Sequence, residues 1–359
     1  MAQRSSWGTR LHSGEKTYSI VGQRKRWFLV SGVLIALALL ILLVKGLNPG
    51  IDFRGGTEYT VSGVENTDTT IAVDVVTEAL PAEEPRVAQV GPNGIRVQLG
   101  ELEQARVDDL AADLAEAYGV AETEVSSSFI GPTWGEEVSS KAIQGLVIFL
   151  LLVTVVMTLY FRAWRMAAAA LVALGHDLLF TAGIYALSGF EVTPASVIGF
   201  LTILGYSLYD TVVVFDKVRE NTSEIFTQHR YTYAEMANLA VNQTLVRSIN
   251  TSVVALLPVS AILFLGSYLL GAGTLKDIAL ALFVGMAVGT YSSIFVATPL
   301  EVALRGNEAR IKEHTEAVLA LRESGQSDVI RPDGSVHVGA LTPGHHQGTA
   351  AQPKRKRRK

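Results

Sequence analysis

From Ala142 to Leu187 the chain reads AIQGLVIFLLLVTVVMTLYF (142–161), RAWR (162–165), MAAAALVALGHDLLFTAGIYAL (166–187). Each flanking run is long enough to cross a hydrocarbon core as a helix, which takes about 20 residues. A soluble hairpin would carry a polar stripe on each helix; these runs are apolar nearly all round. The joint holds only Arg162-Ala163-Trp164-Arg165, so the second run must return beside the first. The stretch reads as a membrane hairpin with a basic turn and an interfacial tryptophan.

Four more runs of the same kind lie around it, at 27–45, 194–216, 247–266 and 277–300. The chain is therefore read as a polytopic α-helical membrane protein with six spans. The first run follows Arg24-Lys25-Arg26, as a signal peptide would, but it is long and no small-x-small cleavage site follows it. Composition agrees: 49% of the 359 residues are hydrophobic and 18% charged. There are no cysteines, which excludes disulfides, thiol catalysis and cysteine-held metals.

The net charge of -4 hides an asymmetry. Basic residues collect in the tail 1–26, in Arg162 and Arg165, in the loop 217–246 and in the tail 301–359, which ends Lys354-Arg355-Lys356-Arg357-Arg358-Lys359. These are alternate loops, so they are placed in the cytoplasm with both termini, as in a bacterial plasma (inner) membrane protein. The acid-rich segment 46–141 then lies outside. It alternates strand and helix patterns: Thr57–Val61, a helix over 70–80 stopped by Pro81, strands over 86–90 and 95–99, a helix over 102–118 ended by Gly119, and a strand over 125–130. That βαββαβ order is an α+β ferredoxin-like unit. The tail 301–359 is expected to be largely disordered, and from about Arg322 it is polar without apolar period. Its basic end is expected to meet anionic lipid or the ribosome, or to remain solvated.

Ionisable residues inside apolar helices are costly and usually face a bundle interior or a water path. Asp210 is the clearest, two turns before Lys217 and so roughly 10 Å within the boundary. Gly199, Thr202, Tyr206 and Asp210 are spaced to share one stripe. The bland alternative is a structural carboxylate bonded to a neighbouring helix. Arg247, with Asn250 and Thr251, opens the fifth span; an arginine there also serves simply to anchor a cytoplasmic helix end. His176 and Asp177 lie mid-helix about 100° apart, so they cannot face one partner. They read either as interhelical polar contacts or as groups that move protons. Gly285, Gly289 and Ser292 read as a packing stripe.

No signature of nucleotide binding or hydrolysis appears. Gly271 to Lys276 lacks P-loop spacing, and no G-x-S-x-G, H-E-x-x-H or dinucleotide fingerprint is present. No enzymatic activity, metal or cofactor is expected, which leaves the transmembrane gradient as the energy source.

Several ordered motifs carry a resemblance. They are Gly50-Ile51-Asp52-Phe53-Arg54-Gly55-Gly56-Thr57; Ile130-Gly131-Pro132-Thr133-Trp134-Gly135-Glu136-Glu137; Gly205 to Asp210 running on through Val213 to Asn221; Arg247-Ser248-Ile249-Asn250-Thr251-Ser252; Leu275-Lys276-Asp277; and Gly289 to Phe295. From Gly50 to about Leu300 the chain resembles the SecF side of the SecD/SecF protein-export family. The resemblance implies an RND-type fold, a SecD-like partner completing twelve helices, and work beside the SecYEG channel on the unfolded polypeptide in transit. It implies use of the proton motive force in late translocation, after an ATP-driven motor. The family's essential aspartate falls on Asp210 and its essential arginine on Arg247; from the residues alone, His176, Asp177, Tyr206, Asn250 and Thr251 are read as supporting polar residues. The stretch from Thr222 to Tyr233 looks like an insertion. Half of a small-molecule RND exporter and a passive translocon scaffold are the alternatives.

Overall fold

A computed structural model describes residues 7–12, 16–266 and 273–324. A short helix α1 (Trp7–His12) precedes the first long apolar helix, α2 (Arg24–Lys45). A two-residue strand β1 (Asn48–Pro49) and one turn of helix, α3 (Ile51–Arg54), lead into an α+β unit. It comprises β2 (Gly56–Ser62), α4 (Thr69–Ala79), β3 (Arg86–Gln89), β4 (Gly94–Leu99), α5 (Gln104–Tyr118) and β5 (Val125–Ile130). The other long helices follow: α6 (Pro132–Phe161), α7 (Trp164–Ser188), α8 (Pro194–Thr222) and α9 (Tyr233–Ala261), with β6 (Glu191–Val192) between α7 and α8. The last is composite. α10 (Gly273–Ser292) passes through a π turn, Ser293–Ala297, into α11 (Thr298–Arg305), and α12 (Ala309–Glu323) lies beyond it. Among the described residues, six helices are long and apolar enough to cross a membrane.

The four-stranded sheet has the order β3-β4-β2-β5 with every pair antiparallel. That is the ferredoxin-like order for βαββαβ. Strand alternation explains both faces. Tyr59, Val61, Ile95, Val97 and Leu99 point inward against Ala72, Val76, Val107, Leu110 and Leu114 of α4 and α5. Between them Glu58, Arg96 and Gln98 point the other way, toward the membrane helices.

There Glu191 receives them. Gln98 Nε2 donates to Glu58 Oε2 at 2.9 Å and to Glu191 Oε1 at 2.8 Å. Arg96 stands 3.6 Å from each of the same two acids. β1 pairs parallel with β6, and Gly50 N donates to Val192 O at 2.8 Å. The α+β unit is thus seated on the α7–α8 connection through backbone and charge together.

Three elements differ from the sequence reading. The stretch 217–246, expected as a loop, is mostly helix: α8 runs to Thr222 and α9 starts at Tyr233. α9 begins there because Thr232 and Glu235 cap it reciprocally. Its first turns bury Ala237, Ala240 and Val241, so they pack rather than float. The tail 301–359, expected to be largely disordered, is helical through α12. Ile311, His314 and Val318, spaced along one face, are buried, and Arg322 pairs with Glu235 at 2.7 Å. Residues 325–359, including the basic end, lie outside the described residues. Third, Thr202 is exposed and bonds its own helix at Ile198 O, so it leaves the stripe formed by Gly199 and Asp210.

Asp52, on α3, lies in a polar cleft with Glu58, Glu191 and Arg96. Desolvation, then the neighbouring charges of Glu58 and Glu191, raise its pKa above the usual aspartate value. The folded chain therefore binds this proton more tightly than the unfolded chain does. Stability from this group rises as pH falls through the raised folded value and levels off below the unfolded one. Thermal unfolding of Asp52→Asn should lack that part of the wild-type pH dependence. An unchanged profile would contradict this account of the cleft.

Candidate functional site

Asp210 is 4% exposed on α8. A buried carboxylate needs donors, and it has two from different helices. Ser248 Oγ on α9 donates to Oδ1 at 2.7 Å, and Ser293 Oγ donates to Oδ2. Ser293 opens the π turn; such turns often mark functional sites, because the extra residue re-aims side chains.

Asp177, 1% exposed on α7, is held in the same way. Ser207 Oγ on α8 donates to its Oδ2 at 2.5 Å and Ser292 Oγ on α10 at 2.8 Å, while His176 Nδ1 is 3.1 Å from Oδ1. Ser292 is thus a ligand of the carboxylate, where the sequence reading made it a packing residue. Packing does account for Gly285 and Gly289. A Cβ on Gly289 would stand 2.9 Å from Ser207 Cβ, and one on Gly285 would overlap Ile203. The absent side chains let α8 and α10 approach closely enough for serine, a short side chain, to bridge them.

Tyr206 extends the polar layer: its OH donates to Ser252 Oγ at 3.3 Å, and Ser252 Oγ meets Thr290 Oγ1 at 2.5 Å. The other named residues sit elsewhere. Arg247 is exposed and donates to Tyr209 OH at 3.3 Å, so it does not pair with Asp210 in this structure. Its neighbour Ser248 faces Asp210, because consecutive helical residues point about 100° apart. Asn250 is exposed, and Thr251 bonds back to Arg247 O. His176 turns toward Phe180 and Tyr291, with ring centroids 6.3 and 6.1 Å away.

The sequence reading assigned no role to Ser207, Ser248, Ser252, Thr290 or Ser293. Their signal was hydroxyls within an i, i+4 step of each other or beside an acid, weak because serine is common in membrane helices. It also passed over Glu301, fully buried, which accepts from Tyr233 OH at 2.5 Å with Arg305 3.8 Å away. Among the described residues, no group of three or more histidines and acids is placed to hold a metal.

Two family matches cover most of this architecture. Residues 111–307 match "Protein export membrane protein SecD/SecF, C-terminal", and residues 40–62 match "SecD/SecF GG Motif". The chain belongs to the SecD/SecF family. It is 45% identical over 341 residues to protein translocase subunit SecF of Streptomyces coelicolor, covering 95% of this chain and 91% of that one. To SecF of Mycobacterium tuberculosis H37Rv it is 44% identical over 357 residues, covering 96% and 78%. The crystal structure of SecDF from Thermus thermophilus, described as a translocon-associated membrane protein, superposes with a TM-score of 0.72 at 34% identity. The match takes in 82% of this chain but 39% of that one, so this chain spans about two fifths of SecDF. It is a multi-pass SecD/SecF membrane protein with an α+β unit between its first two long helices.

The geometry sets two positions apart: Ser293, a donor to Asp210 to which the sequence reading gave no role, and Arg247, which it named with Asp210. Ser293→Ala strips a donor from a buried carboxylate and should lower stability by about 1–3 kcal/mol. Arg247→Ala, at an exposed position, should stay within about 0.5 kcal/mol. Thermal unfolding of both variants of the isolated chain in detergent tests this. The reverse order would place Arg247, not the serines, on Asp210.

Proposed function

We propose that this chain is an accessory subunit of the Sec protein-export machinery that joins a SecD-like partner and uses the proton motive force to promote late translocation. Its partners in that work are the SecYEG channel and the unfolded polypeptide on the outer side. The observation that carries the reading is Asp210: a carboxylate buried at membrane depth and held, among the described residues, only by neutral hydroxyls. Such a group can exist charged or protonated without losing a fixed counter-ion, which is what a proton-coupling site needs.

The SecD-like partner is assigned to the side of α8 and α9 that carries Tyr209, Arg247 and Asn250. Polar side chains exposed at membrane depth are expensive against lipid, and a second helical unit would cover them. Arg247 would then act on Asp210 only when the helices shift. One proton crossing the full potential yields about 2.3 kcal/mol per 100 mV, enough to bias two nearly equal arrangements. The movement would pass to the outer unit through α2 and α6, which flank it, and would have to loosen the Glu191 contacts. The residual basic tail, on this reading, meets anionic lipid or ribosomal RNA.

Asp210→Asn preserves size and hydrogen bonding but removes titration. Export into membrane vesicles carrying this variant at normal protein level should lose its dependence on the gradient while partner binding persists. Full gradient-dependent export would leave the scaffold reading in its place.

The orientation follows from the loop charges, with the outer unit extracytoplasmic and both termini in the cytoplasm of a bacterial inner membrane. The natural chain has no cysteine, so single cysteines report cleanly. Asn93→Cys should react with an impermeant reagent from outside and Ser223→Cys should not. The opposite pattern would invert the topology.

A further inference from the structure

Two buried carboxylates reach α10 and its π turn at adjacent residues. Asp177 takes a hydrogen bond from Ser292, and Asp210 takes one from Ser293. They also meet on α8, where Ser207, the second donor to Asp177, precedes Asp210 by three residues. Residues at that spacing have Cβ atoms about 5–6 Å apart on one helix face. Among the described residues, no lysine or arginine pairs with either acid. The groups facing them are Ser207 of α8, Ser248 of α9, Ser292 and Ser293 at the π turn, and His176 of α7. Beyond His176 lie Tyr291 and, bonded to its hydroxyl, Ser31 of α2.

As a general rule, two neighbouring carboxylates disfavour being charged together. The two serines are also built to serve both protonation states. Ser292 Oγ has Gly289 O as a second acceptor at 3.2 Å, and Ser293 Oγ has Thr290 O at 3.1 Å. When its carboxylate is ionised, each hydroxyl donates to it. When the carboxylate is protonated, the hydroxyl turns its single hydrogen to the helix carbonyl and its oxygen accepts from the acid. Neither state strands a buried donor.

We propose that Asp177 and Asp210 hold one proton between them, so that Asp177 is a second proton-holding residue of the coupling site and His176 its positioning partner. This rests on the reading of Asp210 as the proton-coupling group and extends it to α7. The pair keeps a single negative charge when a proton leaves one carboxylate and another binds its neighbour. Protons then come on in two macroscopic steps that belong to the pair. His176 Nδ1–H donates to Asp177 Oδ1 and directs the free lone pairs of Oδ2 at the serines. Among the described residues its buried Nε2 has no hydrogen-bond partner.

The test is an infrared pH titration of the full chain reconstituted in lipid, following the carbonyl band of protonated carboxylic acid. The band that disappears in Asp210→Asn reports Asp210. Removing the neighbouring charge in Asp177→Asn should lower the midpoint of that band by more than about one pH unit, and Asp177→Glu should restore it. Ser292→Ala keeps the charge but removes a donor to ionised Asp177, so it should raise the midpoint of the first proton; it decides the matter if Asp177→Asn does not fold. An Asp210 band that ignores both substitutions overturns the shared proton and leaves the function of Asp210 intact. If no band disappears in Asp210→Asn at any pH, Asp210 does not titrate, and the coupling reading falls as well.

Discussion

A carboxylate shut away from water must find its hydrogen bonds in the protein, and the arrangement of the membrane helices follows from how Asp210 does so. Its two donors, Ser248 and Ser293, come from α9 and from the turn after α10. Each is a short side chain, so both helices must lie close to α8 and in one register. The close approach of α10 is made possible by Gly285 and Gly289, whose missing side chains leave room for Ile203 and Ser207. The π turn then aims Ser292 and Ser293 at different acids. Small residues, helix spacing and the two carboxylate sockets are one device seen at three levels.

The α+β unit obeys a different constraint. A sheet with two helices on one face leaves its other face to be covered or solvated. Here that face is polar, and it rests on Glu191 through Arg96 and Gln98. Charge contacts of this kind in a wet cleft are weak individually. They seat the unit on the helices, whereas its own shape is held by a separate buried apolar core.

Much of this architecture is legible in the sequence because it rests on bulk properties. Span length, loop charge and strand alternation are sums over many residues, so one ambiguous position does not disturb them. The partners of Asp210 are not sums. Arg247 lies at the right depth, which sequence can estimate, but direction around the helix decides contact. Ser248, one residue on, is the one that reaches the acid. The helix α12 was hidden for a related reason. Its buried face is Ile311, His314 and Val318, and it docks against the segment 226–235 through His314 and Arg322, a contact that no local pattern announces. Asp210 itself stood out because one charge in an apolar run needs no context to be noticed.

The central claim is that Asp210 gains and loses a proton in a socket of hydroxyls and thereby couples the gradient to movement. Proton flux addresses it without reference to any exported protein. The chain and its SecD-like partner would be reconstituted in liposomes, a pH difference imposed, and internal pH followed with a trapped dye. The account predicts partner-dependent flux in the wild type and flux at the empty-liposome level in Asp210→Asn. Equal flux in the two would contradict it.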